Sequence, residues 1–348
     1  MAWWLCKLFM VAHIILAIDQ EEKSCNPDIN APYVKLTILT TIPSLNESLH
    51  YHFNEVFLAL GENARNKYVE SIVVLIDNDT HERVQTIDMK NVWFEPEISS
   101  LLRQHISDIQ KKNVDKIDNI ATEIELNKIE GRIFGRQPTY ADLFRYANYA
   151  LLYNDDTSTI LTTSKKIISI QNADVVLRNL HLLDESAFTQ REEKQLPPLA
   201  LVLTVRWPTG KYFVWCRKRQ HLLPKDRCVN WKDAGKSFDG FIFQIPFDFP
   251  KMKFYYLEVA KPRYVFANMN GAENRVKQFL SASGWTLLNP CLNYLAEHWH
   301  CVRQQTHHVG TDDRKGVYPT EISDTLSRIV PVDKDTIGLR CSSNVSIT

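Results

Sequence analysis

The sequence predicts an α/β fold, in which a mostly parallel central sheet is flanked by helices in a single domain. Three observations support this prediction. Strand patterns alternate with helix patterns along the chain, as in βαβ units. Several of the strand patterns are continuous apolar runs, which are typical of strands buried on both faces of a sheet. The composition, with 44% hydrophobic and 24% charged residues over 348 positions, is that of an ordinary globular protein.

The first βαβ unit lies near the N-terminus. Tyr33–Thr40 alternates apolar residues with polar or β-branched residues, which indicates a strand. Residues 51–66 carry apolar side chains at helical spacing, and residues 71–76 form a buried-strand pattern.

The alternation continues to residue 288. Further helices are predicted at 95–112, 139–153 and 272–283, and further strands at 158–161, 166–170, 199–205, 241–245 and 285–288. The charged stretch 112–130 is predicted to form a loop and a strand outside the regular alternation of strands and helices. Thr139 and Asp142 are placed to cap the second of these helices in a variant of the capping box.

Both ends of the chain are predicted to lie outside this domain. The apolar segment within residues 1–18 is interrupted by Lys7 and His13, and it has the length of a signal peptide rather than of a membrane span of about 20 residues. We therefore expect a signal peptide or short signal anchor at 1–18, an α/β domain at 33–303 and a polar tail at 304–348. A membrane is an expected partner only if the first segment stays uncleaved.

Cysteines and glycosylation motifs agree with the secretory pathway or secretion. Six cysteines follow the signal segment, and an even number suggests disulfides. Pairing across short loops joins Cys216 to Cys228 and Cys291 to Cys301, which leaves Cys25 to pair with Cys341. Other pairings remain open, as do buried free thiols. Glycosylation motifs occur at Asn46, Asn78 and Asn344.

The charge balance argues against one class of partner. The chain has 41 Lys and Arg residues against 41 Asp and Glu residues. A nucleic-acid-binding domain usually carries a basic excess. We therefore expect no nucleic-acid partner.

Six segments place polar residues at the ends of predicted elements. They are GRQPTYADLFRYAN (135–148), ISIQNADVV (168–176), LTVRW (203–207), SFDGFIF (237–243), GAENRVKQFLSASGWTLLNP (271–290) and HWH (298–300). In order and spacing they resemble the motifs of glycosyltransferase-like proteins with the nucleotide-diphospho-sugar transferase fold, a GT-A-like, Rossmann-like fold. The resemblance runs from about residue 33 to residue 303.

The resemblance implies a lumenal enzyme that moves a sugar from a nucleotide-sugar donor to a hydroxyl of a glycan or glycoprotein acceptor. Such an enzyme holds a diphosphate, usually through a divalent metal on oxygen ligands, and needs a carboxylate base. Two alternatives stay open. One is a catalytically inactive secreted or lumenal protein that binds a glycan or nucleotide on the same fold. The other is a glycoside hydrolase, which needs two suitably spaced carboxylates.

The predicted metal and diphosphate site involves four residues. Asp174 directly follows a predicted strand, at the edge where α/β sheets bind ligands. The family usually has an Asp-x-Asp pair, but here Arg178 stands where a second acid is common, which weakens the prediction of Mn²⁺ or Mg²⁺. Arg178 becomes a candidate for direct phosphate binding. The resemblance implies that His298 or His300 contacts the metal or the diphosphate, although paired histidines are often simply surface residues.

Asp239 and Glu273 are the candidate catalytic carboxylates. Asp239 precedes an apolar strand, and Glu273 begins a helix at a position where the family usually has aspartate. The alternative for Asp239 is a structural role in a turn, and the alternative for Glu273 is a structural role at a helix start. The other candidates for binding the nucleotide or its phosphates are Arg136, Arg206 and Asn274.

Overall fold

The computed structural model of the chain describes residues 34–42, 51–77, 93–111, 125–149, 165–183, 185–206, 238–258, 269–289, 295–299 and 330–331. These residues form eleven strands and six α-helices. The strands are β1 (Leu36–Ile42), β2 (Val69–Ile76), β3 (Trp93–Phe94), β4 (Ile129–Ile133), β5 (Lys166–Gln171), β6 (Val175–Leu177), β7 (Leu199–Arg206), β8 (Phe238–Ile245), β9 (Thr286–Asn289), β10 (Ala296–His298) and β11 (Val330–Pro331). The helices are α1 (Tyr51–Arg65), α2 (Pro96–Lys111), α3 (Tyr140–Tyr149), α4 (Ser186–Glu193), α5 (Tyr255–Glu258) and α6 (Met269–Ala282).

One sheet runs through nine of these strands in the order β11-β9-β7-β8-β5-β1-β2-β4-β3. Neighbouring strands are parallel, except that β8 is antiparallel to both β5 and β7, and β3 is antiparallel to β4. The two-residue strands β3 and β11 extend the edges of a mixed, seven-stranded centre. Strands β6 and β10 pair with each other beside this sheet, and β10 also joins β7. The predicted α/β fold is thereby confirmed.

The strand order reverses between β1 and β5. After β1 the chain adds β2 and β4 on one side, and it then returns to add β5 and the later strands on the other side. In open α/β sheets, such a reversal leaves a crevice at the carboxyl ends of the two central strands, and ligands bind there. Ile42 and Gln171 end the two strands at this edge, and the antiparallel β8 begins beside them.

Helices cover both faces of the sheet. On one face α1 and α2 pack against side chains that include Ile38 and Ile72. On the other face α3 and α6 pack against side chains that include Leu39 and Val73. Because consecutive strand residues point to opposite faces, a strand covered on both sides is apolar at most positions. This explains the continuous apolar run of β2.

An aromatic cluster fills the layer between α3, α6 and the sheet. Phe144 on α3 stacks on Phe243 of β8 at a ring separation of 5.0 Å, and its edge meets Phe279 of α6 at 5.0 Å. Phe247 lies 6.4 Å from Phe144, and Trp285 lies 5.8 Å from Phe243. The cluster therefore joins two helices to the antiparallel strand.

The observed elements differ from the predicted ones in a few places. The helix predicted at 139–153 is described from Tyr140 to Tyr149, and the strand predicted at 158–161 lies outside the described residues. The loop and strand predicted at 112–130 end in β4, which is parallel to β2. The sequence did not predict the three-residue strands β6 and β10. The polar tail supplies β11, which pairs with β9.

The predictions about the N-terminal segment, the disulfides and the three glycosylation motifs all fall outside the described residues. Within the described ranges, none of the helices has the length and apolar character needed to span a membrane.

Candidate functional site

A histidine between two carboxylates forms the centre of the candidate site. Nε2 of His298 lies 3.1 Å from Oδ2 of Asp174, and Nδ1 of the same ring lies 3.4 Å from Oδ2 of Asp239. Asp174 is only 2% exposed, and the other two side chains are mostly buried. These three residues are the Asp–His–Asp cluster. The two carboxylates therefore approach opposite nitrogens of one imidazole.

Three strands bring the cluster to the carboxyl edge of the sheet. Asp174 lies in the turn that follows β5. Asp239 is the second residue of β8, and its carbonyl accepts a hydrogen bond of 3.2 Å from the N–H of Asn172. His298 ends β10, and the N–H of the next residue, Trp299, donates to the carbonyl of Asp174 at 2.7 Å. Backbone hydrogen bonds therefore place all three side chains together.

The cluster determines the ionisation of its members. Burial by itself lowers the pKa of His298, but the charges of Asp174, Asp239 and Glu55, together with the hydrogen bond to Asp174, outweigh it and raise the pKa from 6.5 to about 9. Burial also raises the pKa of Asp239, an effect that the charge of His298 opposes and the charge of Asp174 reinforces. Without another ligand, the imidazole is therefore protonated at neutral pH.

Glu55 is a residue of this region that the sequence did not indicate. It lies on α1, its side chain is buried, and its charge acts on His298. The sequence held one indication of Glu55, which is an acid directly beside Val56 on the apolar face of a predicted helix. Acids are almost never fully buried unless they have partners, so that position was informative only once the burial was known.

Arg178 belongs to a separate ion-pair cluster. Its Nε and Nη2 each lie 3.0 Å from Oε2 of Glu297, and its Nη1 lies 3.6 Å from Oε2 of Glu62. Nε1 of Trp299 also donates to Glu297, at 3.1 Å. Glu297 and His298 are consecutive on β10, so their side chains point to opposite faces of the strand. The ion pairs of Arg178 therefore lie on the other face from the Asp–His–Asp cluster.

Arg136 is bound at the start of α3. Its Nη1 and Nη2 donate to the two carboxylate oxygens of Asp142 at 2.7 and 2.9 Å. The N–H and hydroxyl of Thr139 donate to the same carboxylate at 2.8 and 2.7 Å, and the N–H of Asp142 donates back to the Thr139 hydroxyl at 3.3 Å. The predicted cap is confirmed, and Arg136 has a structural partner in it.

The same end of α3 reaches the crevice between β1 and β5. The hydroxyl of Tyr140 donates to Oδ1 of Asn172 at 3.4 Å, next to the turn that carries Asp174. Nε2 of Gln137 donates to the hydroxyl of Thr41 at 3.3 Å, near the end of β1. Polar side chains therefore line the crevice on the side that faces α3.

The other predicted site residues are described less completely. Arg206 is the last residue of β7 and is paired in register with Glu297 of β10. Glu273 and Asn274 lie in the first half of α6, which begins at Met269, so the prediction that Glu273 begins this helix is wrong. The side chains of these three candidates, and the whole of His300, lie outside the described part of the structure.

Nε2 of His298 and Oδ2 of Asp174, the two atoms that the predicted divalent cation would have to share, are hydrogen-bonded to each other at 3.1 Å. A cation would have to displace the proton of that hydrogen bond. No group of three or more His, Cys, Asp or Glu side chains in the described ranges is arranged to hold a metal, and the predicted metal site stays a prediction.

Comparisons with known proteins do not assign the chain to a family. No model of a known protein family matches it, and a search of curated proteins finds no match.

Proposed function

We propose that the protein is a glycosyltransferase of the GT-A-like, nucleotide-diphospho-sugar transferase type, which transfers a sugar to an acceptor hydroxyl in the secretory pathway. The observation that carries the proposal is the Asp–His–Asp cluster at the carboxyl edge of β5, beside the point where the strand order reverses. Ligands of open α/β sheets bind at such points. The order of the six motifs along the chain also supports it.

The charge of the site favours a cation as the partner of a diphosphate. Among the described side chains, the charges that act on His298 are all carboxylates, from Asp174, Asp239 and Glu55. Negative charge in excess repels a diphosphate. A bound Mn²⁺ or Mg²⁺, held by Asp174 and His298, would offset this charge and that of the departing diphosphate.

The proposed transfer is a displacement at the anomeric carbon. The acceptor oxygen forms a bond to that carbon, the bond from the carbon to the diphosphate oxygen breaks, and the acceptor proton passes to a carboxylate. The products are the glycosylated acceptor and a nucleoside diphosphate. Glu273, in the first half of α6, and Asp239 are the two candidate bases.

Release of nucleotide from UDP-, GDP- and CMP-sugars tests the proposal. The chain is secreted from cultured cells and assayed with Mn²⁺ or with EDTA. We expect release from one donor, and we expect Asp174→Asn to reduce it by roughly 100-fold or more, since a ligand of the diphosphate-binding cation is lost. The matched control is Asp248→Asn, because Asp248 is exposed and lies beyond the other end of β8. No release, together with no thermal shift on adding nucleoside diphosphates, would reject the proposal.

A non-catalytic binding protein is the second candidate. Asp174 is followed by Val175 and Val176, so the motif at this position is not an Asp-x-Asp pair. Binding of a nucleotide or glycan without turnover in the same assay would favour this candidate.

The geometry does not favour a glycoside hydrolase built on Asp174 and Asp239. In such enzymes the two carboxylates flank the scissile bond. Here the imidazole of His298 occupies the space between them.

A further inference from the structure

We infer that Gln171 is a positioning residue, whose side chain fixes the turn that carries Asn172 and Asp174 at the carboxyl edge of β5. The inference rests on the proposed function, because it places Asp174 in the site for the nucleotide-sugar. It assigns a role to a buried residue that the proposed transfer does not itself use.

The turn is closed by one main-chain hydrogen bond. The N–H of Val175 donates to the carbonyl of Asn172 at 3.1 Å, as in a β-turn with Asp174 at its third position. This bond fixes the shape of the turn, but its orientation against the sheet needs contacts on both flanks. On one flank, the N–H of Asn172 donates to the carbonyl of Asp239 on β8 at 3.2 Å.

The side chain of Gln171 supplies a contact on the other flank. Its Nε2 donates to the carbonyl of Val175 at 2.8 Å, so it connects the residue before the turn to the residue that ends it. The same carbonyl accepts a hydrogen bond of 2.8 Å from Nδ2 of Asn63, and a carbonyl has two lone pairs for two such donors. Gln171 therefore attaches the turn to β5, and Asn63 attaches it to α1.

A second buried polar residue determines which way the amide of Gln171 points. Ser169 lies two positions earlier on β5 and therefore on the same face of the strand. Its hydroxyl donates to Oε1 of Gln171 at 2.8 Å. Because Oε1 faces this hydroxyl, the amide nitrogen is left to face the carbonyl of Val175. The hydroxyl of Ser169 thus selects the orientation that holds the turn.

Neighbouring strands also hold Gln171 in place. The hydroxyl of Thr40 on β1 donates to the carbonyl of Gln171 at 2.8 Å. Gly240 of β8 is paired with Gln171, and a Cβ atom at Gly240 would lie 3.2 Å from the Cβ of Gln171. Ser169 and Gln171 are both buried, where apolar side chains would avoid the cost of burying polar groups. The hydrogen bonds that end at the turn offset this cost.

Hydrogen exchange followed by mass spectrometry tests this role without turnover. Gln171→Met keeps the length of the side chain but lacks the amide. We expect the amide hydrogens of residues 172–176 to exchange roughly 3- to 10-fold faster, as expected for the loss of one hydrogen bond. Exchange over residues 69–76 of β2 should stay unchanged, which separates a local effect from a general loss of stability.

Gln110→Met is the matched control for this substitution. Gln110 lies on α2 and is only 4% exposed, and its amide has no hydrogen-bond partner within the described ranges. The control therefore replaces a buried glutamine by methionine away from the turn. We expect it to leave exchange over residues 172–176 unchanged.

A double-mutant cycle on nucleotide release shows whether the position of the turn matters to the reaction. We expect Gln171→Met to lower kcat by roughly 10-fold, because a small displacement of a group in the site slows the reaction. In a chain that already carries Asp174→Asn, the same change should have a much smaller effect, since Gln171 acts through Asp174. A merely structural role would lower the rate equally in both backgrounds. Gln110→Met should leave kcat unchanged in both.

The two proposals fail in different ways. Equal exchange over residues 172–176 in the wild type and in Gln171→Met would overturn the inference, and so would a loss of kcat that is the same with and without Asp174→Asn. If exchange over the turn rises as expected but no nucleotide-sugar is cleaved, Gln171 holds the turn and the transferase function falls. If a donor is cleaved and Gln171→Met has the kcat of the wild type, the transferase function holds and the positioning role falls.

Discussion

The ionisation of His298 depends on its neighbours in the fold. Asp174 follows β5, Asp239 lies on β8 and Glu55 lies on α1, and all three favour the charged imidazole. Their combined effect exceeds the cost of burying that charge. The folded protein therefore binds a proton at His298 more tightly than the unfolded chain does.

This proton makes stability depend on pH. In the metal-free protein, we expect the contribution of His298 to be complete below about pH 6.5 and to be lost as the pH rises towards about 9, because the raised pKa favours the folded state only while the ring is charged. Asp239 acts with the same sign, since its raised pKa also makes stability fall as the pH rises. Urea unfolding in EDTA at several pH values across this range measures the effect.

The matched variant is His298→Gln, which removes the titrating ring. We expect the wild type to have the higher free energy of unfolding, with the largest difference from the variant near pH 6.5. The difference should become smaller as the pH rises towards 9. A difference that stays constant with pH would contradict the assignment.

The pair formed by Arg136 and Asp142 should contribute measurably to stability. The bidentate contact is largely buried and also caps α3. A double-mutant cycle with alanine at both positions should give a coupling energy of about 1–3 kcal/mol, because charge-assisted hydrogen bonds in partly buried sites are strong. The exposed pair Asp248 and Lys251 is the control, with an expected coupling below about 1 kcal/mol. Equal coupling in both pairs would refute the structural role of Arg136.

Strand β6 pairs with β10 on one side, and a side chain of helix α1 is hydrogen-bonded to its backbone as well. Asn63 of α1 donates from Nδ2 to the carbonyl of Val175 at 2.8 Å, and its Oδ1 accepts from the N–H of Leu177 at 2.9 Å. The carbonyl of Val175 also accepts a hydrogen bond of 2.8 Å from Nε2 of Gln171, so the backbone group that depends on Asn63 is the N–H of Leu177. This contact attaches α1 to the strand that follows Asp174.

We therefore expect Asn63→Ala to lower the free energy of unfolding by about 1–3 kcal/mol, since it leaves the buried N–H of Leu177 without a partner. Urea unfolding measures the change. Gln104→Ala is the control, because Gln104 lies on the exposed surface of α2. If both variants lost the same stability, the amide of Asn63 would not have the role that we give it.

Strand β8 and the aromatic cluster behind it connect elements that are distant in the sequence. Strand β8 connects β5 to β7 with antiparallel pairing on both sides. Phe144 contacts Phe243 on β8 and also Phe247 and Phe279. A single ring of α3 therefore contributes to packing between several elements.

Removal of this ring should destabilise the protein strongly. We expect Phe144→Ala to cost about 3–5 kcal/mol, because the surrounding rings cannot fill the cavity. Tyr149→Ala on the same helix is the control, with an expected cost within about 0.5 kcal/mol, since Tyr149 is largely exposed. Denaturant unfolding of the three proteins tests the difference. Similar losses would mean that the aromatic cluster does not join these elements.

Local patterns in the chain were enough to predict the α/β class and most of the elements. The apolar run of β2 and the cap formed by Thr139 and Asp142 involve residues that are near neighbours in sequence. Strand and helix periodicity, and the chemistry of a helix start, can be recognised over such short distances.

The strand order, the antiparallel direction of β8 and the partners of the charged residues required the tertiary structure. Asp174 and His298 are separated by 124 positions, and Arg178 and Glu297 by 119. No periodic pattern shows which distant residues meet, and strands of three residues such as β6 and β10 are too short to show a pattern. The pKa of His298 likewise depends on charges and burial supplied by other elements. The residue types at the site could therefore be identified from the chain, whereas their arrangement depended on pairing and burial over long separations.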